Sequence, residues 1–315
     1  MSDNTANASA ATSSVVPNAV GRAVLLMLAS TLAFGSMAVA IRLASSQLHP
    51  FEIAFFRNFF GFAFALPLLF RHGPGLLRTD KLPLYFMRCL IGIVSMLCGF
   101  WAIVHLPLAQ AVSISYSTPL FVTIGAVLVL GEVVRIRRWS AVIAGFIGVL
   151  VIVRPGAEGF SVATLVALAA AALSACVAIS IKFLSRTEKA DAIVLMTTIL
   201  WVPMSLLPAL FVWKWPHGWV WLWIVLAGMF GTIGHMLWTR AMKLADASLL
   251  TPISFFQVVV VAIYGFALFG ETLDRYTVIG AGIVFASNAY IAHREAVLAR
   301  RVATDREIGK EVLTR

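Results

Sequence analysis

The residues best suited to guiding a solute are Ser115, Thr118, Ser254 and Gln257, set among Gln110, Ser113, Ser117, Ser248 and Thr251 in two apolar runs. Hydroxyls and amides offer a solute both donors and acceptors without a formal charge. Ser248, Thr251, Ser254 and Gln257 recur every three residues, so on a helix they drift slowly around one stripe. Ser115 and Ser254 are 139 positions apart, as are Thr118 and Gln257. A polar stripe repeated at equivalent positions suits the wall of a cavity. For any single Ser or Thr the alternative is a hydrogen bond back to its own helix. Gln257 carries a full amide in an apolar run, where exposure to lipid would be costly.

Other groups belong to the same inventory. Trp101, Tyr116 and Trp238, with Tyr264, could stack on a flat ring and orient it through their polar edges; helix packing is the alternative for each. His235 lies well inside a run and could take a proton or a substrate hydrogen bond, or be a satisfied core histidine. Arg57 needs a partner at membrane depth, and Glu52, five positions earlier, is about 140° off its face. Asn58 or a carbonyl is the expected partner, and Arg57 fits a structural anchor as well as a gate. Glu132 and Glu271 follow Gly131 and Gly270 at the ends of equivalent runs, where they could cap or salt-bridge moving helices. Arg42 and Lys182 sit at equivalent run ends and read as snorkelling anchors. Gly228, Gly231 and Gly234 form a small-residue face for close helix approach.

The elements that position these groups are apolar runs. Apolar residues make up 61% of the chain, charged residues 12%, and mean hydropathy is +0.94. Soluble domains are about 45–50% apolar and about 25% charged, so the composition is that of a membrane protein. Ten runs are expected, at 22–42, 51–70, 82–104, 108–130, 138–153, 160–183, 191–212, 219–243, 246–269 and 275–293. Residues 1–21 read as a disordered cytoplasmic tail and 294–315 as a basic cytoplasmic tail. The net charge of +10 does not imply nucleic acid, because the basic residues cluster between the runs. The three cysteines lie inside runs without metal spacing.

With the N-terminus in the cytoplasm, 18 Lys and Arg fall on the cytoplasmic side and 4 outside, which predicts N-in and C-in. Residues 22–153 align with 160–293, five runs each. An odd number inverts the second repeat, an all-α arrangement that in other membrane proteins accompanies alternating access, with the solute site near the midplane.

AFGSMAVAIRLA in run 1, HPFEIAFFRN opening run 2, and GFWAIVHLPLAQAVSISYSTPLFVTIGAVLVLGE across runs 3 and 4 resemble the EamA-type permeases of the drug/metabolite transporter superfamily. WSAVIAGFIGVLVIVRPG in run 5 and GTIGHMLWTRAMKLADAS in run 8 extend the resemblance over about residues 22–293. One departure is Val258, where the first repeat has Pro119; the second repeat's proline is Pro252. The resemblance implies a multi-pass carrier of the cytoplasmic (inner) membrane. The run from Arg88 to Ala111 is most similar to the branch with riboflavin and S-adenosylmethionine uptake carriers. That implies uptake of an aromatic vitamin such as riboflavin, with export of amino acids or amphiphilic drugs and metabolites as the alternative.

Rival classes find less support. No paired intramembrane carboxylates, His-Glu metal spacing or Gly-x-Ser-x-Gly elbow argue for an enzyme. No ring of charge or filter motif argues for a channel. No P-loop is present, so transport is not powered by nucleotide hydrolysis on this chain; separately, no metal or other cofactor is expected. The expected partners are a small-molecule solute and the lipid bilayer, and a homo-oligomer stays open.

Overall fold

A computed structural model of the protein describes residues 17–72, 79, 81–130, 136–155, 161–184, 188, 190–245 and 247–313. The described residues contain twelve helices and no strand. The first repeat holds α1 (Pro17–Ala44), α2 (Pro50–His72), α3 (Leu82–His105), α4 (Leu108–Ser115), α5 (Thr118–Leu130) and α6 (Ile136–Val153). The second holds α7 (Val162–Leu184), α8 (Ala190–Leu210), α9 (Val220–Leu244), α10 (Ala247–Ser254), α11 (Phe256–Phe269) and α12 (Arg275–Leu313). Among the described residues, six spans are long and apolar enough to cross a membrane: within α1, α3, α7 and α9, plus the pairs α4–α5 and α10–α11.

The two halves interleave. α1 packs on α9, and its repeat equivalent α7 packs on α3, the equivalent of α9. Likewise α2 lies on α9 as α8 lies on α3, while α2–α8 and α6–α12 pair across the halves. Each half therefore finds its apolar partners largely in the other. Glycines set the closest approaches. A Cβ on Gly280 would stand 2.5 Å from the Gly148 carbonyl, and one on Gly148 would stand 2.8 Å from the Gly280 carbonyl. The Gly228, Gly231 and Gly234 face of α9 packs on Phe60 and Arg57 of α2 and Phe34 of α1. Backbones close enough to touch gain dispersion contact that bulkier residues would prevent.

Three elements differ from the runs read in the sequence. Runs 4 and 9 are each broken near their middle, into α4 and α5 and into α10 and α11. The last helix does not stop at residue 293 but continues to Leu313, 39 residues in all. Its C-terminal stretch is rich in Ala, Arg, Glu and Leu, all strong helix formers, so loss of apolar character does not end it. An apolar groove of about 870 Å³ lies between α1, the α10–α11 pair and α12, with Val24, Leu28, Phe255 and Phe285 in its walls.

Candidate functional site

The two helix breaks meet. Pro119, in the first turn of α5, has no N–H to give the Ser115 carbonyl, and Thr118 Oγ1 donates to that oxygen instead at 2.8 Å. Tyr116 and Ser117 form the turn. Leu120 N–H bonds to Ser117 O, leaving Tyr116 O free to accept from Asn288 Nδ2 of α12 at 2.7 Å. The second break has no proline at Val258. Val258 N–H bonds to Phe255 O, and the released Ser254 carbonyl accepts the Tyr116 hydroxyl. At each break a carbonyl released from the helix is thus served by a side chain from the opposite repeat.

Around this junction the Tyr116 hydroxyl also reaches Gln257 Oε1 at 3.3 Å, and the Tyr116 ring packs on Phe255 at 4.5 Å between centroids. Phe255 in turn meets Phe285 at 5.1 Å. Broken helices turn backbone dipoles and polar groups toward a solute at membrane depth, where intact helices would hide them.

The residues singled out in the sequence divide. Tyr116, Ser254 and Gln257 come together. Ser115 is exposed, but its hydroxyl donates to Val112 O, and the Ser254 hydroxyl donates to Thr251 O. These hydroxyls, with that of Thr118, therefore have only acceptor capacity left for a solute. Trp101 stacks on His105 at 4.0 Å near the α3–α4 turn. His235 meets Phe34 edge-on at 5.1 Å and is exposed despite its mid-helix position; Trp238, three residues on, is exposed as well. Arg57 Nη1 donates to Asn58 Oδ1 at 3.0 Å, and Asn58 Nδ2 donates to Ser205 at 3.2 Å.

Arg42 is not a snorkelling anchor. Its Nη1 pairs with Glu271 Oε1 at 2.8 Å, with both side chains 17% exposed. Its Nε donates to Ile103 O at 2.7 Å and its Nη2 to Leu106 O, while Glu271 Oε2 accepts the Leu108 N–H at 2.8 Å. A buried guanidinium with a carboxylate in reach gains more from the pair than from stretching to water. Gly270, at φ 66°, ends α11 in a left-handed turn, and Glu271 N–H bonds back to Gly265 O. The Gly-Glu pair is thus a helix stop that aims its acid at α1 and the α3–α4 turn. Glu132 lies outside the described residues, and Lys182 is exposed. Glu52 is fully buried and accepts the backbone N–H groups of His49 and Lys214.

Sequence reasoning missed Asn288, whose only cue was an amide inside an apolar run. It also missed Arg88 as a buried cation, bonded through Nη1 to Thr197.

The model of the EamA-like transporter family matches residues 21–154 and again 161–292. A riboflavin transporter of Vibrio cholerae is 31% identical over 227 residues, covering 71% of this chain and 76% of that one. An S-adenosylmethionine uptake transporter of Rickettsia felis is 30% identical, covering 79% and 85%. A pseudopaline exporter of Pseudomonas aeruginosa is 26% identical, covering 83% and 92%. One crystal structure, at 21% identity, shares the fold with a TM-score of 0.62 over 90% of this chain and 99% of that one. Two matched repeats on a bundle of apolar helices lead to one conclusion: the chain belongs to the EamA-like transporter family, as a multi-pass inner-membrane transporter of small molecules and not an enzyme.

Proposed function

We propose that the protein is a secondary carrier that takes up a small, ring-bearing organic metabolite by alternating access. The observation that carries this reading is the junction of the two helix breaks, where Tyr116, Gln257 and Asn288 gather polar groups between the repeats. The reading takes ten crossings, two inverted repeats and both termini in the cytoplasm, as the Lys and Arg distribution favours. The Arg42–Glu271 pair then lies at the outer face and ties α1, the α3–α4 turn and the end of α11 together, which suits a closed outer gate. Relatives named for riboflavin and for S-adenosylmethionine both handle compounds with a flat ring, a shape that aromatic groups near the junction accommodate.

The test is flux of labelled riboflavin and S-adenosylmethionine into proteoliposomes holding the purified full chain. Saturable uptake of at least one is expected. No saturable flux of any solute tried would sink the carrier reading. Net outward movement from right-side-out vesicles would favour export, the second reading, which the pseudopaline exporter among the relatives keeps in view.

A further inference from the structure

We infer that Arg57, beside His235, is an anion-recognition subsite, and that the transported solute carries a single carboxylate in addition to its ring. This rests on the carrier reading and names the class of solute that site takes.

Arg57 lies in α2 on the stripe that faces α9. Four residues further on, Gly61 packs against Thr232 and the Gly228 carbonyl. The guanidinium crosses α9 where a side chain is missing: a Cβ on Gly231 would stand 2.9 Å from Arg57 Nη2 and 3.0 Å from the Met37 sulfur of α1. The arginine therefore passes over Gly231 toward α1. His235, one turn further along α9, lies within electrostatic range of it.

The charge at this position is not compensated. No described carboxylate is within ion-pair distance of Arg57, and its buried Nε has no hydrogen-bond partner among the described residues. Glu52, on the same helix, is committed to the backbone N–H groups of His49 and Lys214. The remaining contact is a neutral chain from Arg57 through Asn58 and Ser205 to the Trp201 carbonyl. That chain orients the fork without supplying negative charge.

An arginine at membrane depth without an acid must face protein or an aqueous cleft, because lipid would strip it at high cost. Arg57 is partly exposed and reaches over Gly231 of α9 toward Met37 of α1, and His235 is exposed and meets Phe34 of α1 edge-on, so both groups stand where α1, α2 and α9 come together. A guanidinium there offers a carboxylate two parallel charge-assisted hydrogen bonds. One cation neutralises one negative charge. A dianionic phosphate would leave net charge in the membrane, so the monoanionic carboxylate fits better.

The experiment uses the purified full chain in detergent, with thermal unfolding as readout and three matched pairs as probes. These are nicotinate and nicotinamide, indole-3-acetate and indole-3-acetamide, and S-adenosylmethionine and its decarboxylated form. At least one acid should raise the unfolding temperature while its neutralised or decarboxylated partner does not. Arg57→Gln should abolish that difference. Gly231→Ala, which keeps the arginine but displaces its fork, should weaken acid binding by about tenfold or more. Arg57→Lys should retain part of it. If Arg57→Gln does not fold, the last two variants decide. Equal shifts for acid and partner, an acid preference that survives the Arg57 and Gly231 changes, or no shift with any acid would overturn the inference. Saturable flux of riboflavin without any acid preference would also overturn it, and would leave the carrier reading standing.

Discussion

Tyr116 and Phe255 hold equivalent positions in the two repeats, 139 residues apart, and their rings meet at 4.5 Å. Each sits at the break of its own helix pair. The contact places one point of the first repeat on its own counterpart in the second, as a pivot between related halves would require.

Tyr116→Phe should keep the ring contact and lose the hydroxyl that satisfies the Ser254 carbonyl. The expected cost is about 1–3 kcal/mol in stability, the penalty for a buried unpaired carbonyl. Thermal unfolding measures it, and flux should fall by about tenfold. Wild-type stability in this variant would mean that the Ser254 carbonyl finds another donor.

Arg42→Gln should open the end of the bundle that Arg42 and Glu271 close. A cysteine placed at Ser36, next to the Tyr264 hydroxyl at 3.3 Å, should then react faster with a membrane-impermeant maleimide. The charge swap Arg42→Glu with Glu271→Arg should restore only part of the closure. The native arginine also donates to the Ile103 and Leu106 carbonyls, which a glutamate cannot do.

Glu52→Gln should act on folding and leave coupling alone. Its two carboxylate oxygens each accept one backbone N–H group, and an amide keeps only one acceptor oxygen, so one of the two N–H groups loses its partner and a loss of about 1–3 kcal/mol is expected. Flux per folded carrier should respond to an imposed pH gradient as the wild type does. An intact fold with an altered response to the gradient would instead make Glu52 a coupling group.

Gly280→Leu should be among the most damaging single changes. The Gly148 carbonyl lies 2.5 Å and the Ile152 amide nitrogen 3.1 Å from where a Cβ would stand, and neither backbone atom can yield without moving α6. Overpacking of this kind costs typically about 1–3 kcal/mol, and more where backbone must shift. Yield of folded protein after detergent extraction should drop sharply.

The apolar runs were legible because membrane helices must be apolar over their whole length, whatever they pack against. The first break has a local cue, since Pro119 removes a backbone donor within its own run, but a proline alone does not say whether an apolar helix bends or stops. The second has none. Its released carbonyl is served by Tyr116 from the other repeat, and no local residue at Val258 announces it. Arg42 was misread for the same reason: its acid stands 229 positions away, so run-end position alone favoured the bilayer interface. Asn58 as the partner of Arg57 was readable because it is the adjacent residue. Asn288 escaped because its task is to serve a carbonyl in a distant turn.

Phe255 has a second side. One edge meets Tyr116, and the other borders the apolar groove between α1, α11 and α12. The groove is open and lined by apolar side chains, so acyl chains of a surrounding bilayer are the expected filling, with Phe255 between them and Tyr116. Under the proposed alternating access, chain length and fluidity of the surrounding lipid should tune the transport rate through Phe255, and flux in vesicles of short and long acyl chains should differ for a reason located at this residue.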